Sequence, residues 1–145
     1  MDRAIVAARD AKPLATTSQL ADVVASVIPA HTRKTHPATK TFQAIRIFLN
    51  RELEQLESVL VQSLDVLATG GRLCVISFHS LEDRIVKRFI RNNSREAEQY
   101  RGMPNVPPEF RPKLRQVGKA VTATAAEIEA NVRARSARLR IAERM

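Results

Sequence analysis

Two periods of apolar spacing alternate along this 145-residue chain, and the changes of period mark its elements. Residues 3–9 read as the tail of a helix. The stretch TTSQLADVVASVIP, residues 16–29, has apolar residues at helical spacing, with Thr17 or Ser18 placed to cap its start and Pro29 to stop it. A basic loop, AHTRKTHP, follows. Pro37 suits the first turn of a new helical region. There Phe42, Ile45, Leu49, Leu53, Leu56, Leu60, Leu64 and Leu67 step by three or four, and Asn50 marks a break into two helices. Gly70 and Gly71 end the second of them. RLCVISF, residues 72–78, is a continuous β-type run, the pattern of a strand covered on both faces. SLEDRIVKRFIRN returns to helical spacing, with acids early and bases late, as the helix dipole favours.

Residues 92–112 hold four of the seven prolines and almost no periodicity, so they predict a long loop. KLRQVGKAVTAT then reads as a strand. TAAEIEAN reads as a short helix capped by Thr124 with Glu127, and ARLRIAER as a closing strand. The order is helices, strand, helix, loop, strand, helix, strand. The fold class is α/β, with one clearly buried strand and two weaker ones forming an antiparallel pair beside it. The pattern resembles the second half of a larger sheet.

Composition narrows the function. Apolar residues make up 44% of the chain and aromatic residues 4%, so the core rests on aliphatic side chains. The net charge of +9 is uneven. Residues 1–80 carry 9 Lys+Arg against 7 Asp+Glu, and residues 81–145 carry 15 against 8. That asymmetry favours a polyanionic partner, most plausibly nucleic acid, for the second half. Cys74 is the only cysteine, which excludes an internal disulfide and a cysteine-based zinc site. It reads as a small core residue. A reducing, cytoplasmic setting and no membrane span are the expectation. His31 and His36 are spaced too weakly for a metal site, and none is expected.

Three stretches carry candidate chemistry. SFHSLED, residues 77–83, gathers residue types that catalyse, at the carboxyl end of a strand, where open α/β sheets bind ligands. A Ser-His-Asp triad needs side chains that converge, and neighbours at a strand-to-helix turn diverge, so a hydrolase is disfavoured. There is no G-x-S-x-G elbow either. Ser80 with Asp83 suits a helix cap, which leaves His79 unexplained. HPATKTFQAIR, residues 36–46, offers His36, Thr39, Lys40, Gln43 and Arg46 around a helix start that suits phosphate or simply a solvated face. NVRARSARLR carries four arginines in residues 133–140, Arg138 among them; on a strand, Arg133 and Arg135 would share one face suited to phosphate contact or simply to a solvated sheet edge.

HPATKTFQAIRIFLNRELEQLE, GGRLCVISFHSLEDRIVKRF and NVRARSARLRIAER, in that order, resemble the C-terminal half of the RsmH/MraW family, bacterial 16S ribosomal RNA cytosine N4-methyltransferases. The resemblance covers essentially the whole chain. It departs visibly at Val132, where the family usually has proline.

The resemblance implies the C-terminal portion of a Rossmann-like class I methyltransferase sheet, preceded by the end of an inserted helical domain. Residues 1–45 would be the end of that insertion, and residues 46–145 the later part of the catalytic domain. It implies S-adenosyl-L-methionine as cofactor, 16S rRNA in the small ribosomal subunit as partner, and methylation of a decoding-region cytidine at N4. Such a transfer needs the amino nitrogen positioned and the base reachable outside the stack. The family's cofactor motifs, a G-x-G-x-G-G-H turn and a D-L-G-V-S-S segment, do not occur here, so no cofactor residue is carried over. The chain is expected to be a fragment, incomplete for catalysis alone and able to self-associate through an exposed sheet edge. Ser77 and His79, with His36, Thr39, Lys40, Gln43 and Arg46, are the implied substrate-side residues. Arg84, Arg133, Arg135 and Arg138 are the implied contacts to the RNA backbone. The competing expectation is a non-catalytic RNA-binding module on the same fold.

Overall fold

A computed structural model describes residues 1–28, 36–96, 98–100 and 102–145. Pro29, His31 and most of the basic loop lie outside the described residues. The chain divides into two compact units, Met1–Glu52 and Leu53–Met145.

The first unit is helical: α1 (Asp2–Ala11), α2 (Thr17–Val27) and α3 (Thr39–Asn50). The cap of α2 is Thr16, one residue earlier than the sequence suggested. Its side chain accepts from the Gln19 backbone, and the Gln19 side chain returns the bond, closing a capping box. Only Gln19, three residues on, can reach back, and that fixes the choice of Thr16. Val24, Ala38 and Thr41 are buried. The Thr41 hydroxyl donates to the Met1 sulfur at 3.3 Å. α3 stops at Asn50, as predicted, because Arg51 turns left-handed at φ 52°. Leu49, part of the apolar ladder, is exposed.

The second unit contains α4 (Glu52–Val66), β1 (Arg72–Ser77), α5 (Ser80–Asn93), β2 (Leu114–Thr122), α6 (Ala125–Ala130) and β3 (Arg138–Arg144). Single 3₁₀ turns occupy Glu98–Tyr100, Pro108–Phe110 and Val132–Ser136. Gly70, at φ 80°, turns the chain from α4 into β1, and a Cβ on Gly71 would meet the Ala68 carbonyl at 2.8 Å. Both glycines are tied to the end of β3: Gly70 N–H donates to Arg144 O, and Arg144 N–H to Gly71 O, each at 2.8 Å.

The sheet order is β1-β3-β2, with β3 antiparallel to both neighbours, so β1 and β2 run parallel and are bridged by α5. The second and third strands are as predicted, and α6 has the Thr124–Glu127 capping box. Hydrogen bonds from Thr124 hold the Glu127 carboxyl below its ordinary range. In β2 the register slips between Val117 and Val121, and Gly118 takes φ 65°. Gly118, Lys119 and Ala120 therefore stand opposite Arg140 alone.

One face of the sheet is covered. Leu60 and Leu64 of α4 and Val86 and Ile90 of α5 close over Leu114 and Ala142, with Leu73 and Val75 packed alongside. β1 alternates accordingly: Leu73, Val75 and Ser77 point inward, and Arg72, Cys74 and Ile76 point outward and are exposed. A strand covered on both faces is thus not what the described residues show. Cys74 is exposed rather than a core residue. The reason is that both helices lie on the same side.

Candidate functional site

The carboxyl end of β1 leads through Phe78 and His79 into α5. Ser77 is 4% exposed, and its hydroxyl donates to the Arg138 carbonyl across the β1–β3 register. His79 is extended (φ −141°, ψ 163°) and caps α5. Its Nδ1 accepts from the Glu82 backbone at 3.4 Å. Glu82 Oε2 in turn accepts from the backbone N–H of Phe78 at 2.9 Å and of His79 at 3.2 Å. The cap is therefore His79 with Glu82, not Ser80 with Asp83; Ser80 is already the first helical residue. The family of local bonds that seemed to leave His79 over is built on it.

With Nδ1 accepting, Nε2 carries the ring proton. That atom is buried and makes no hydrogen bond; Glu82 Oε1 is 3.3 Å away but not in line with its N–H.

Asp83 is used elsewhere. Arg140 Nε and Nη2 grip its two oxygens at 2.7 and 3.1 Å, and Arg138 Nη1 lies 3.6 Å from Oδ2. The hydrogen bonds from Arg140 hold the carboxyl below its ordinary range against the opposing effect of burial, and the charges of Arg140, Arg138 and Lys87 add to this. The side chains of Ser77, His79 and Asp83 are thus each bonded to other groups rather than to one another and form no triad.

The structure brings Ser77, His79 and Arg138 together and adds Asp83 and Arg140, which the sequence reading had not assigned to the site. The spacing from His79 to Glu82 carried the capping signal, but serine outranks histidine as a cap type. Arg133 and Arg135 do not share a strand face. They lie on the 3₁₀ turn Val132–Ser136, because the Asn131 side chain accepts from Arg133 N–H at 3.1 Å and starts a turn there. Arg84 is exposed on α5.

The remaining candidates lie in the first unit. His36 Nδ1 accepts from Ala38 N–H at 3.3 Å. Thr39 and Lys40 are exposed in the first turn of α3, which has no side-chain cap, and Gln43 is half-buried. Arg46 is paired with Glu52, its Nε 2.9 Å from Oε1.

The described residues at the end of β1 do not make a cradle for a nucleotide-type cofactor. Their backbone N–H groups and the Glu82 carboxylate are bound into the turn, and the Ser77 hydroxyl is bound to β3.

Fold and turn together define a mixed α/β chain with a strand-cap-helix junction at one end of its sheet. The chain belongs to the MraW methylase family, whose model matches residues 1–145. It is 53% identical over 143 residues to a protein from Coxiella burnetii named ribosomal RNA small subunit methyltransferase H, covering 99% of this chain and 46% of that protein. Proteins of the same name from Nitrosospira multiformis and Xanthomonas euvesicatoria are 56% and 54% identical, with 47% and 42% of their lengths covered. The chain spans about half the length of these curated relatives.

Proposed function

We propose that this chain forms the C-terminal part of an S-adenosyl-L-methionine-dependent methyltransferase that modifies N4 of a cytidine in the decoding region of 16S rRNA. The observation that carries the reading is the end-to-end family match together with relatives above 50% identity named as rRNA small subunit methyltransferases. Residues 1–45 belong on this reading to the end of an inserted helical domain, and residues 46–145 to a Rossmann-like sheet. The parallel pair β1 and β2 bridged by α5 supports that architecture.

The carboxyl end of β1 forms one wall of the cytidine pocket. Ser77 supports the wall through Arg138, and His79 offers a buried donor without a partner, Nε2–H, toward the base or its ribose. His36, Thr39, Lys40, Gln43 and Arg46 form a second substrate-facing group, and Arg84, Arg133, Arg135 and Arg138 face the RNA backbone. The cofactor residues belong to the part of the relatives that this chain does not span. Self-association through the outer edge of β1 and a cytoplasmic location complete the reading.

The test adds this chain to the first half of the Nitrosospira relative, with S-adenosyl-L-methionine and small-subunit rRNA lacking the modification. N4-methylcytidine is the expected product by nucleoside mass spectrometry. Methylation at another atom, or none, overturns the reading. Micromolar binding of S-adenosyl-L-methionine to this chain alone would overturn the assignment of the cofactor residues. A second reading, a non-catalytic RNA-binding module, is favoured by the commitment of the strand-end polar atoms to the turn. It predicts RNA retention with no transferred methyl group in the complemented assay.

A further inference from the structure

The outer face of α5 carries a run of cations with no salt bridge among the described residues, although the charge of Lys87 reaches Asp83 one turn earlier and Glu96 and Glu98 line a cleft with Arg91 and Arg95. Arg84, Lys87, Arg88 and Arg91 stand on one side of the helix, with i,i+3 and i,i+4 neighbours among them, and Arg95 lies two residues past the end of the helix. All five are exposed, and none has an ion pair among the described residues. From Arg84 to Arg95 the sequence contains no Asp or Glu.

A merely solvated helix face tends to interleave opposite charges, because i,i+4 pairs of unlike sign stabilise a helix and like-sign pairs destabilise it. Here Arg84 and Arg88, Lys87 and Arg91, and the i,i+3 pairs Arg84–Lys87 and Arg88–Arg91 are all like-signed. The opposite face of the same helix supplies the core with Val86 and Ile90, so α5 is held in place by packing despite this repulsion. The cations of β3 are in a different state: Arg140 and Arg138 are turned onto Asp83. Lys119 in the β2 bulge lines the same small cleft as Lys87, extending the positive surface toward the sheet.

We propose that this α5 ridge is a docking surface for the phosphate backbone of double-stranded RNA. The helical part of the ridge, Arg84 to Arg91, spans about 10 Å at 1.5 Å per residue, enough to meet more than one phosphate. Arginine and lysine read such a backbone by charge rather than by base, and A-form RNA is bound mainly through shape and phosphates. The proposal rests on the rRNA reading above and deepens it by naming where the RNA lies.

The test measures binding alone, with no cofactor present. A labelled RNA hairpin duplex of arbitrary sequence is titrated with the chain at salt concentrations from about 50 to 200 mM, the range over which phosphate contacts are lost. The triple variant Arg88→Gln, Arg91→Gln, Arg95→Gln is compared with a charge-matched control on α1, Arg3→Gln, Arg9→Gln, Lys12→Gln. The α5 variant is expected to reduce the slope of log Kd against log salt by about 2 to 3 and to weaken binding on the order of a hundredfold near 0.1 M salt. The control is expected to retain most of the wild-type slope.

Equal losses in both variants, or an unchanged slope in the α5 variant, overturn the proposal. So does α5-dependent binding to poly-glutamate without binding to RNA. If the triple variant fails to fold by circular dichroism, the single change Arg88→Gln is used, with an expected slope change of about 1. A chain that binds RNA through α5 yet supports no methyl transfer in the complemented assay defeats the enzymatic reading and leaves the ridge standing. Methyl transfer with α5-independent binding does the reverse.

Discussion

His79 holds two positions at once: its Nδ1 closes the first turn of α5, and its Nε2 is left buried without a partner. Removal of a capping side chain typically costs about 1 kcal/mol, and asparagine is among the best replacements. His79→Ala is therefore expected to lower stability by about 1 kcal/mol in thermal unfolding, and His79→Asn to restore most of it. The two roles separate in the complemented methylation assay. There His79→Asn should remain folded yet lose activity if Nε2–H meets the substrate. Equal stability losses in both variants would remove the capping role. At this scale the sequence was only half legible. It marked the turn and its acids, but not which residue begins the helix. That depends on where β1 stops pairing with β3, at the Ser77–Arg138 rung, leaving an extended His79 at the start of α5.

The pairing of Asp83 with Arg140 joins two elements 57 residues apart: the first turn of α5 and the middle of β3. Both side chains are nearly covered, 13% and 14% exposed. Breaking such a pair leaves a charge without its partner, so Asp83→Asn is expected to cost about 3 kcal/mol at neutral pH. The pH dependence follows from the direction of the shift. The folded carboxyl ionises below its ordinary value, so its stabilisation is complete above the unfolded value of about 3.9 and is lost as pH falls through the folded value. The stability gap between wild type and Asp83→Asn, measured by urea unfolding, should be constant from neutral pH to about pH 5 and shrink below about pH 4. A gap that persists at the acid end would show that the carboxylate is not its source.

The elements themselves were well legible. The periodicity of residues 80–92, the Thr124–Glu127 cap and the closing strand all appear in the structure. The fate of the arginine run was not. Local alternation suggested that Arg133 and Arg135, on a strand, would share one phosphate-facing side. Instead the Asn131 side chain starts a 3₁₀ turn under both, and the strand register carries Arg138 and Arg140 to Asp83. Register is set by long-range pairing, which no local pattern contains.

On the scale of the whole second unit, the sheet has one dressed face and one bare one. Across the bare face the register aligns Cys74 with Ile141 and Val117, and Ile76 with Leu139 and Val121. Ile76 is 58% exposed and Val121 55%. The apolar run RLCVISF was correctly read as a strand, but wrongly as one covered on both faces, since Cys74 and Ile76 are exposed. What the sequence did not tell is that both packing helices, α4 and α5, lie against only one of them. Among the described residues β1 also pairs on one side alone, with β3. An apolar sheet face beside an open edge invites pairing with another chain. The chain alone is therefore expected to self-associate with rising concentration in size-exclusion chromatography with light scattering. Ile76→Lys with Val121→Lys places charge on the two most exposed apolar positions of that face and should shift the population toward monomer. Its melting temperature should not fall, because neither side chain contributes to the covered core. A wild-type chain that stays monomeric at every concentration would show that the bare face is not adhesive. A double variant that unfolds would show that the outward rungs of the sheet support the fold after all.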